Sequence, residues 1–356
     1  MPNRRHFFKT LAGAAAGMYV MGGGGAATRL QAQAARRRVI LGGRRVRVVD
    51  IHQHWDMPLP AELVRGTPFE AFAEGGAGLD ERIPLLDREG IDVGVVGVND
   101  FWWYEATDRG LARAICDVHN ETLAMWNRMH PDRLVGMASV PLQFPDLAAE
   151  MLQDAVERHG ARGVTIGGHV NGESLSLPKF DPFWAKVAEM GELVFMHPNG
   201  SGNIIREGGL SGPGGLGNVV GNPLETTVFL SRLMLDGTFD KFPALRVCGA
   251  HGGGFLPSYL GRMETAIQRP NQNHSMQKRP SEYMRSQILA DSMVFSEEGL
   301  RHLVAEMGAS QVVFGTDIPF NWPVTLDLIV NASVLSNTEK AAILGGNLVR
   351  LLRLAA

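Results

Sequence analysis

Val46-Arg47-Val48-Val49-Asp50-Ile51-His52-Gln53-His54 is a short apolar run that closes on two histidines. The same closure recurs along the chain. His197 ends Leu193-Val194-Phe195-Met196, His251 ends Leu245-Arg246-Val247-Cys248-Gly249-Ala250, and Asp317 ends Val312-Val313-Phe314-Gly315-Thr316. Short, Val-rich runs that are nearly continuous in apolarity read as strands buried on both faces. A (β/α)₈ barrel brings such distant strand ends together, because its C-terminal strand ends converge on one face. Imidazole nitrogen and carboxylate oxygen suit zinc and its neighbours. The set therefore reads as a metal site at a barrel mouth.

The remaining pattern agrees. Strands are expected at 45–52, 93–99, 133–140, 162–167, 192–197, 245–250, 292–296 and 311–316. Helical patterns lie between them, near 80–90, 108–130, 146–159, 181–190, 223–239, 255–267, 297–307 and 324–335, with a last helix near 338–353. Alternation of this count implies α/β class and a parallel TIM barrel, a single domain over 39–356. A doubly wound open sheet is the rival, but it gives less reason for ligands from the first, fifth, sixth and eighth strands together. The irregular stretch 198–222, rich in Gly, Asn and Pro, follows His197 and is expected over the mouth as a lid.

Residues two apart on a strand share a face, so Asp50, His52 and His54 are expected to point the same way. Pro198 stops the strand after His197, and Pro319 follows Asp317. The glycines of His251-Gly252-Gly253-Gly254 let the backbone pass close to a ligand.

Composition bounds the function. The 356 residues are 45% hydrophobic and 20% charged with formal net charge -3, which is ordinary globular composition. No long basic run occurs outside the N-terminus, so no nucleic-acid partner is expected. Cys116 and Cys248 are expected as buried thiols. Asn3-Arg4-Arg5-His6-Phe7-Phe8-Lys9, the Ala/Gly stretch 10–27 and Ala32-Gln33-Ala34 read as a twin-arginine signal peptide over 1–34. The expected location is periplasmic or secreted, with no stable membrane span after cleavage, because the stretch is short and Gly22 to Gly25 weaken it as a helix.

His52-Gln53-His54, His197-Pro198, Ala250-His251-Gly252-Gly253-Gly254, Gly315-Thr316-Asp317-Ile318-Pro319 and Leu344-Gly345-Gly346-Asn347 together resemble the amidohydrolase superfamily. The nearest branch is the one typified by aminocarboxymuconate-semialdehyde decarboxylase, over residues 46–353. The resemblance implies His52, His54, His197 and Asp317 as ligands of one divalent ion, zinc first and manganese as the alternative. It implies His251 as the catalytic acid/base, with Asp317 taking part as a ligand. Gly163-Val164-Thr165-Ile166-Gly167-Gly168 lacks the lysine of binuclear relatives, which favours one metal. Relatives acting on hydroxybenzoates often carry Glu at the first ligand position, and His52 departs from that.

The implied function is a metal-dependent, non-oxidative decarboxylase (a carboxy-lyase) acting on a small unsaturated or aromatic carboxylic acid. The same residues would serve a hydrolase of a lactone, ester or amide, or a hydratase. Candidate substrate-binding residues are Trp55, Trp102 within Phe101-Trp102-Trp103-Tyr104, Asn321 and Arg262. Arg262 matches a family arginine that can cross a dimer interface to hold a substrate carboxylate, so a homodimer is expected. His119, His130, His159, His169, His274 and His302 read as surface or structural.

Overall fold

Eight parallel strands close into a ring in the computed structural model, which describes residues 36–73, 81–98 and 100–355. The expected signal peptide, 1–34, lies outside the described residues. A short antiparallel hairpin, β1 (Val39–Leu41) and β2 (Arg44–Val46), precedes the barrel. The ring consists of β3 (Val49–Trp55), β4 (Val93–Val98), β5 (Leu134–Gly136) and β6 (Val164–Ile166), and then, after the small hairpin β7 (His169–Val170) and β8 (Glu173–Ser174), of β9 (Leu193–Met196), β10 (Arg246–Gly249), β11 (Ile288–Asp291) and β12 (Val312–Val313). Two parallel bridges, Ala138 to Val164 and Gln53 to Ile318, join the two arcs of strands. Backbone bonds from Ile51 N to Phe314 O (3.0 Å) and from Asp317 N to His52 O (2.8 Å) pin the first strand to the last at the mouth.

The strand residues are apolar on both sides because two cores need them. Val49, Ile51, Val93, Val95, Phe195, Leu289 and Val313 fill the barrel. Val48, Val96, Val164, Val194, Val247 and Val312 pack outward against the helices. Burial of this kind stabilises by roughly 25 cal/mol per Å² of apolar surface. Asp108 caps the helix Arg109–Met129 by accepting from Leu111 N at 2.7 Å. Both cysteines are buried and free.

Three expectations need correction. The opening run is not one strand: Val46 ends the hairpin, and the barrel strand begins at Val49. A bulge between Asp50 and Gln53 shifts the register of β3 against β4, so strict alternation fails there. Ile51 joins the barrel interior, whereas Trp55 joins the outer core. Finally, the seventh strand is 288–291, not 292–296. No helix among the described residues is long and apolar enough to cross a membrane.

Candidate metal centre and active site

His52, His54, His197, His251 and Asp317 meet at the mouth. The ring of His54 lies 4.4 Å from that of His197, and the ring of His52 lies 4.9 Å from His54, 5.1 Å from His197 and 5.2 Å from His251. Asp317 Oδ1 is 3.1 Å from His52 Nε2 and 2.9 Å from His54 Nε2. Asp317 Oδ2 is 3.9 Å from His251 Nε2. One donor atom each from His52, His197, His251 and Asp317 falls within 4.8 Å of the others. His54 adds a fifth donor beside this set.

The donors are prepared for a cation. His52 Nε2, His54 Nε2, His197 Nδ1 and Asp317 Oδ1 are buried and make no hydrogen bond. Buried polar atoms left unpaired cost free energy, so such a cluster asks for a partner. On the far side of its ring, His52 Nδ1 lies 2.6 Å from Asp291 Oδ2. A proton on Nδ1 facing that carboxylate leaves the Nε2 lone pair toward Asp317, where a cation satisfies both. The carboxylate–histidine pairing orients a ligand ring and raises its basicity. Burial alone disfavours charge on His52, but Asp317 and Asp291 overcome it and carry its pKa to about 10, so a cation bound at Nε2 would take the place of a proton there. Burial pushes His54 down to about 4 and His197 well below the usual range, so both rings stay neutral, as ligands must be. Burial works against ionised Asp317, yet the surrounding imidazoles hold it far below the usual carboxylate range.

Asp291 escaped the sequence reading. It is fully buried and also accepts from His251 N (3.0 Å), Gly252 N (2.8 Å) and Met293 N (3.2 Å). Its signal was present, since Ile288-Leu289-Ala290-Asp291 is another apolar run ending in a polar residue. The misplaced seventh strand hid it. Gly315 lets the strands close here, because a Cβ at 315 would stand 2.8 Å from the Asp291 Cβ and 3.0 Å from that of His52.

Asp50 does not reach the imidazoles. Its carboxylate accepts from His52 N (3.0 Å), Gln53 Nε2 (2.8 Å) and Thr316 Oγ1 (2.5 Å), which fixes the bulge to the last strand. Burial raises its pKa to about 6 against these bonds.

A cleft of about 280 Å³ opens over the centre between Asp100, His197, Asn199, Asn218, Asn222, Asp317 and Phe320. Residues of the 198–222 stretch thus do line the mouth. A second cleft of about 540 Å³ adjoins it, sharing Asp100, Asn199 and Gly200, with Trp102, Tyr104, His169 and Asn171 on its walls.

The substrate-binding candidates fare unevenly. Trp55 is 2% exposed and packs 4.1 Å from the Trp126 ring, with the Arg82 guanidinium 4.5 Å from its own. The bulge turned it outward, and it lines neither cleft. Trp102 reaches the second cleft only, stacked 3.8 Å from Phe72. Its neighbours Phe101, Trp103 and Tyr104 are buried. Asn321 is exposed on the loop after Asp317. The wall there is Phe320, whose ring lies 5.4 Å from His54. Arg262 is exposed on the helix Leu256–Ala266 and lines neither cleft of this chain. His169, expected away from the mouth, lines the second cleft, with Nε2 3.1 Å from Gly200 O. His119 is fully buried beside Trp103, at 4.9 Å, a structural position.

Glu225 is a second residue that the sequence did not reveal. It is 1% exposed, and one oxygen accepts from Asn199 N (2.8 Å) and Gly168 N (3.1 Å), tying the loops after β9 and β6 together. Burial raises its pKa to about 7 despite these bonds.

Comparison with known proteins places this geometry. The family profile described as Amidohydrolase matches residues 49–354. The 2-amino-3-carboxymuconate-6-semialdehyde decarboxylase of Dictyostelium discoideum is 32% identical over 77% of this chain and 76% of its own. The crystal structure of 2,6-dihydroxybenzoate decarboxylase from Rhizobium superposes with a TM-score of 0.74 at 26% identity, covering 87% of this chain and 99% of that one. A dihydroxybenzoic acid decarboxylase from Polaromonas, solved with bound manganese and the inhibitor 2-nitroresorcinol, gives a TM-score of 0.74 at 24% identity over 87% and 97% of the two chains.

Proposed function

The chain belongs to the amidohydrolase family, and from that premise we propose that it is a metal-dependent carboxy-lyase removing CO₂ non-oxidatively from a small aromatic or unsaturated carboxylic acid. The observation that carries the reading is the convergence of four imidazoles and one carboxylate beneath a small cleft. Kinship to decarboxylases of such acids selects the reaction class.

His52, His54, His197 and Asp317 are proposed to hold one divalent ion, with zinc proposed first for a set of three imidazoles and one carboxylate. Manganese in the Polaromonas relative is the alternative. When bound, the ion supplies a fixed positive charge for the substrate's oxygens. His251, whose Nε2 lies 3.9 Å from the Asp317 carboxylate, donates its proton to the ring carbon that bears the carboxylate. The bond to the carboxylate then breaks, its electron pair returns to the ring, and CO₂ leaves. His251 regains a proton from water. Phe320 and the amides of the 198–222 stretch limit the access of water while this happens.

The test is CO₂ release from a panel of hydroxy- and aminobenzoates by the metal-loaded protein, with loss after chelation and recovery on adding zinc or manganese. Acid release from lactones or esters, without CO₂ from any acid, would overturn the reading in favour of a hydrolase.

Two further proposals concern context. We infer export by the twin-arginine route to the periplasm or outside the cell. Arg4→Lys with Arg5→Lys is expected to hold precursor in the cytoplasm, and unchanged delivery removes the claim. We also infer a homodimer through the helix Leu256–Ala266, because exposed Phe255 and Tyr259 share its face with Arg262 at spacings of four and three. Equilibrium sedimentation is expected to give a dimer, and a monomer at micromolar concentration sinks the idea.

A further inference from the structure

We propose that Asp100 determines which second polar group the substrate carries, and that it takes a hydrogen-bond donor, an amino or hydroxyl substituent, in preference to a second carboxylate. The proposal rests on the decarboxylase reading for the reacting end of the substrate, and on Asp100 alone for the other end.

Asp100 is the acidic residue at the junction of the two clefts, lining both, and it shares the first with His197 and Asp317. A ring whose carboxylate lies at the centre therefore extends toward Asp100. The backbone is bent to place it there. Asp100 (φ 70°) and Phe101 (φ 43°) are successive left-handed residues just after β4. L-residues adopt that conformation at a cost, and such outliers cluster at functional sites. The turn buries the Phe101 ring completely and leaves Asp100 on the cleft wall.

Among the described residues the charge has no ion-pair partner. No Lys or Arg among the described residues pairs with Asp100, and none lines either cleft. Besides His197 and Asp317 at the centre, the polar wall residues of the first cleft are the neutral amides Asn199, Asn218 and Asn222, and the second cleft adds the carboxylate of Glu105, which does not line the first. Asp100 is exposed on the cleft wall, yet the partial enclosure of its carboxylate, and then the like charge of Asp56, raise its pKa. An ammonium or phenol against this carboxylate relieves that cost, whereas a second substrate carboxylate increases it. A hydrogen bond to a charged group is a strong discriminator, on the order of 10-fold or more between a ligand that makes it and one that does not.

The experiment uses the full metal-loaded protein and benzoates carrying one amino, hydroxyl or carboxylate group at the same ring position. CO₂ release gives kcat/KM, and calorimetry gives Kd for the same acids. The wild-type protein is expected to favour the amino and hydroxyl acids over the dicarboxylate by about 10-fold or more. Asp100→Asn, a residue that tolerates the left-handed backbone, is expected to close most of that gap and improve binding of the dicarboxylate. Wild-type preference for the dicarboxylate, or an equal fall for every acid in Asp100→Asn, overturns the proposal. Binding that keeps the expected order while no acid releases CO₂ overturns the decarboxylase reading and leaves Asp100 standing. CO₂ release with no ranking among the acids does the reverse.

Discussion

His197→Ala is expected to strip the protein of its ion and its turnover together. His197 directly follows β9, is 5% exposed, and sits within 4.4 to 5.3 Å, ring to ring, of His54, His52 and His251. In a mononuclear site each of four protein ligands carries a share of the affinity, and a structural zinc contributes about 10–16 kcal/mol in small peptides. One ligand in four is then worth roughly 3 kcal/mol, more than about 100-fold in affinity. Metal content after dialysis, measured beside CO₂ release, checks this. Circular dichroism reports whether the barrel survives, which it should, because the substitution sits at the mouth and leaves both cores intact. A variant with stoichiometric metal and full activity would mean that His251, already within 4.8 Å of the other donors, supplies the fourth bond.

Much of this was legible because barrel strands are buried on both faces. A continuous apolar run is a strong signal, and a polar residue closing it stands out. The signal does not fix where a run begins or how it is bent. Val46 and Val49 read as one strand, yet the hairpin takes the first and the barrel the second. The bulge between Asp50 and Gln53 has no composition of its own, and it decides that Trp55 faces the helices rather than the substrate. The seventh strand was displaced toward Ser292-Met293-Val294-Phe295, a run as apolar as the true one, and Asp291 went unseen with it. Glu225 and Asp100 were harder still. One lies in a helix and the other in a turn, and nothing in local sequence tells that a carboxylate will meet amide groups from two distant loops or stand where two clefts join. Side-chain partners of that kind are a product of closure of the ring.

His251→Asn is expected to keep the metal and lose turnover. His251 occupies a left-handed backbone position (φ 55°) two residues after β10, held by its own N–H donating to Asp291 Oδ2 at 3.0 Å. Asn accepts that conformation more readily than most residues, and the backbone bond does not depend on the side chain, so the strand end is expected to stay in place. What changes is chemistry. An amide of similar size can still hydrogen-bond, but it cannot give up and regain a proton near neutral pH as an imidazole does. General acid/base catalysis contributes about 10²- to 10⁴-fold, and kcat is expected to fall by that factor. The metal should remain, because His52, His54, His197 and Asp317 still supply four donors, and Asp317 stands closer to His52 and His54 (3.1 and 2.9 Å) than to His251 (3.9 Å). The same distances give the opposing result its meaning. If the variant loses its ion along with its activity, the set that includes His251 is the true ligand sphere, His54 is the ring left free, and His54→Asn becomes the variant that should retain metal while losing the proton donor.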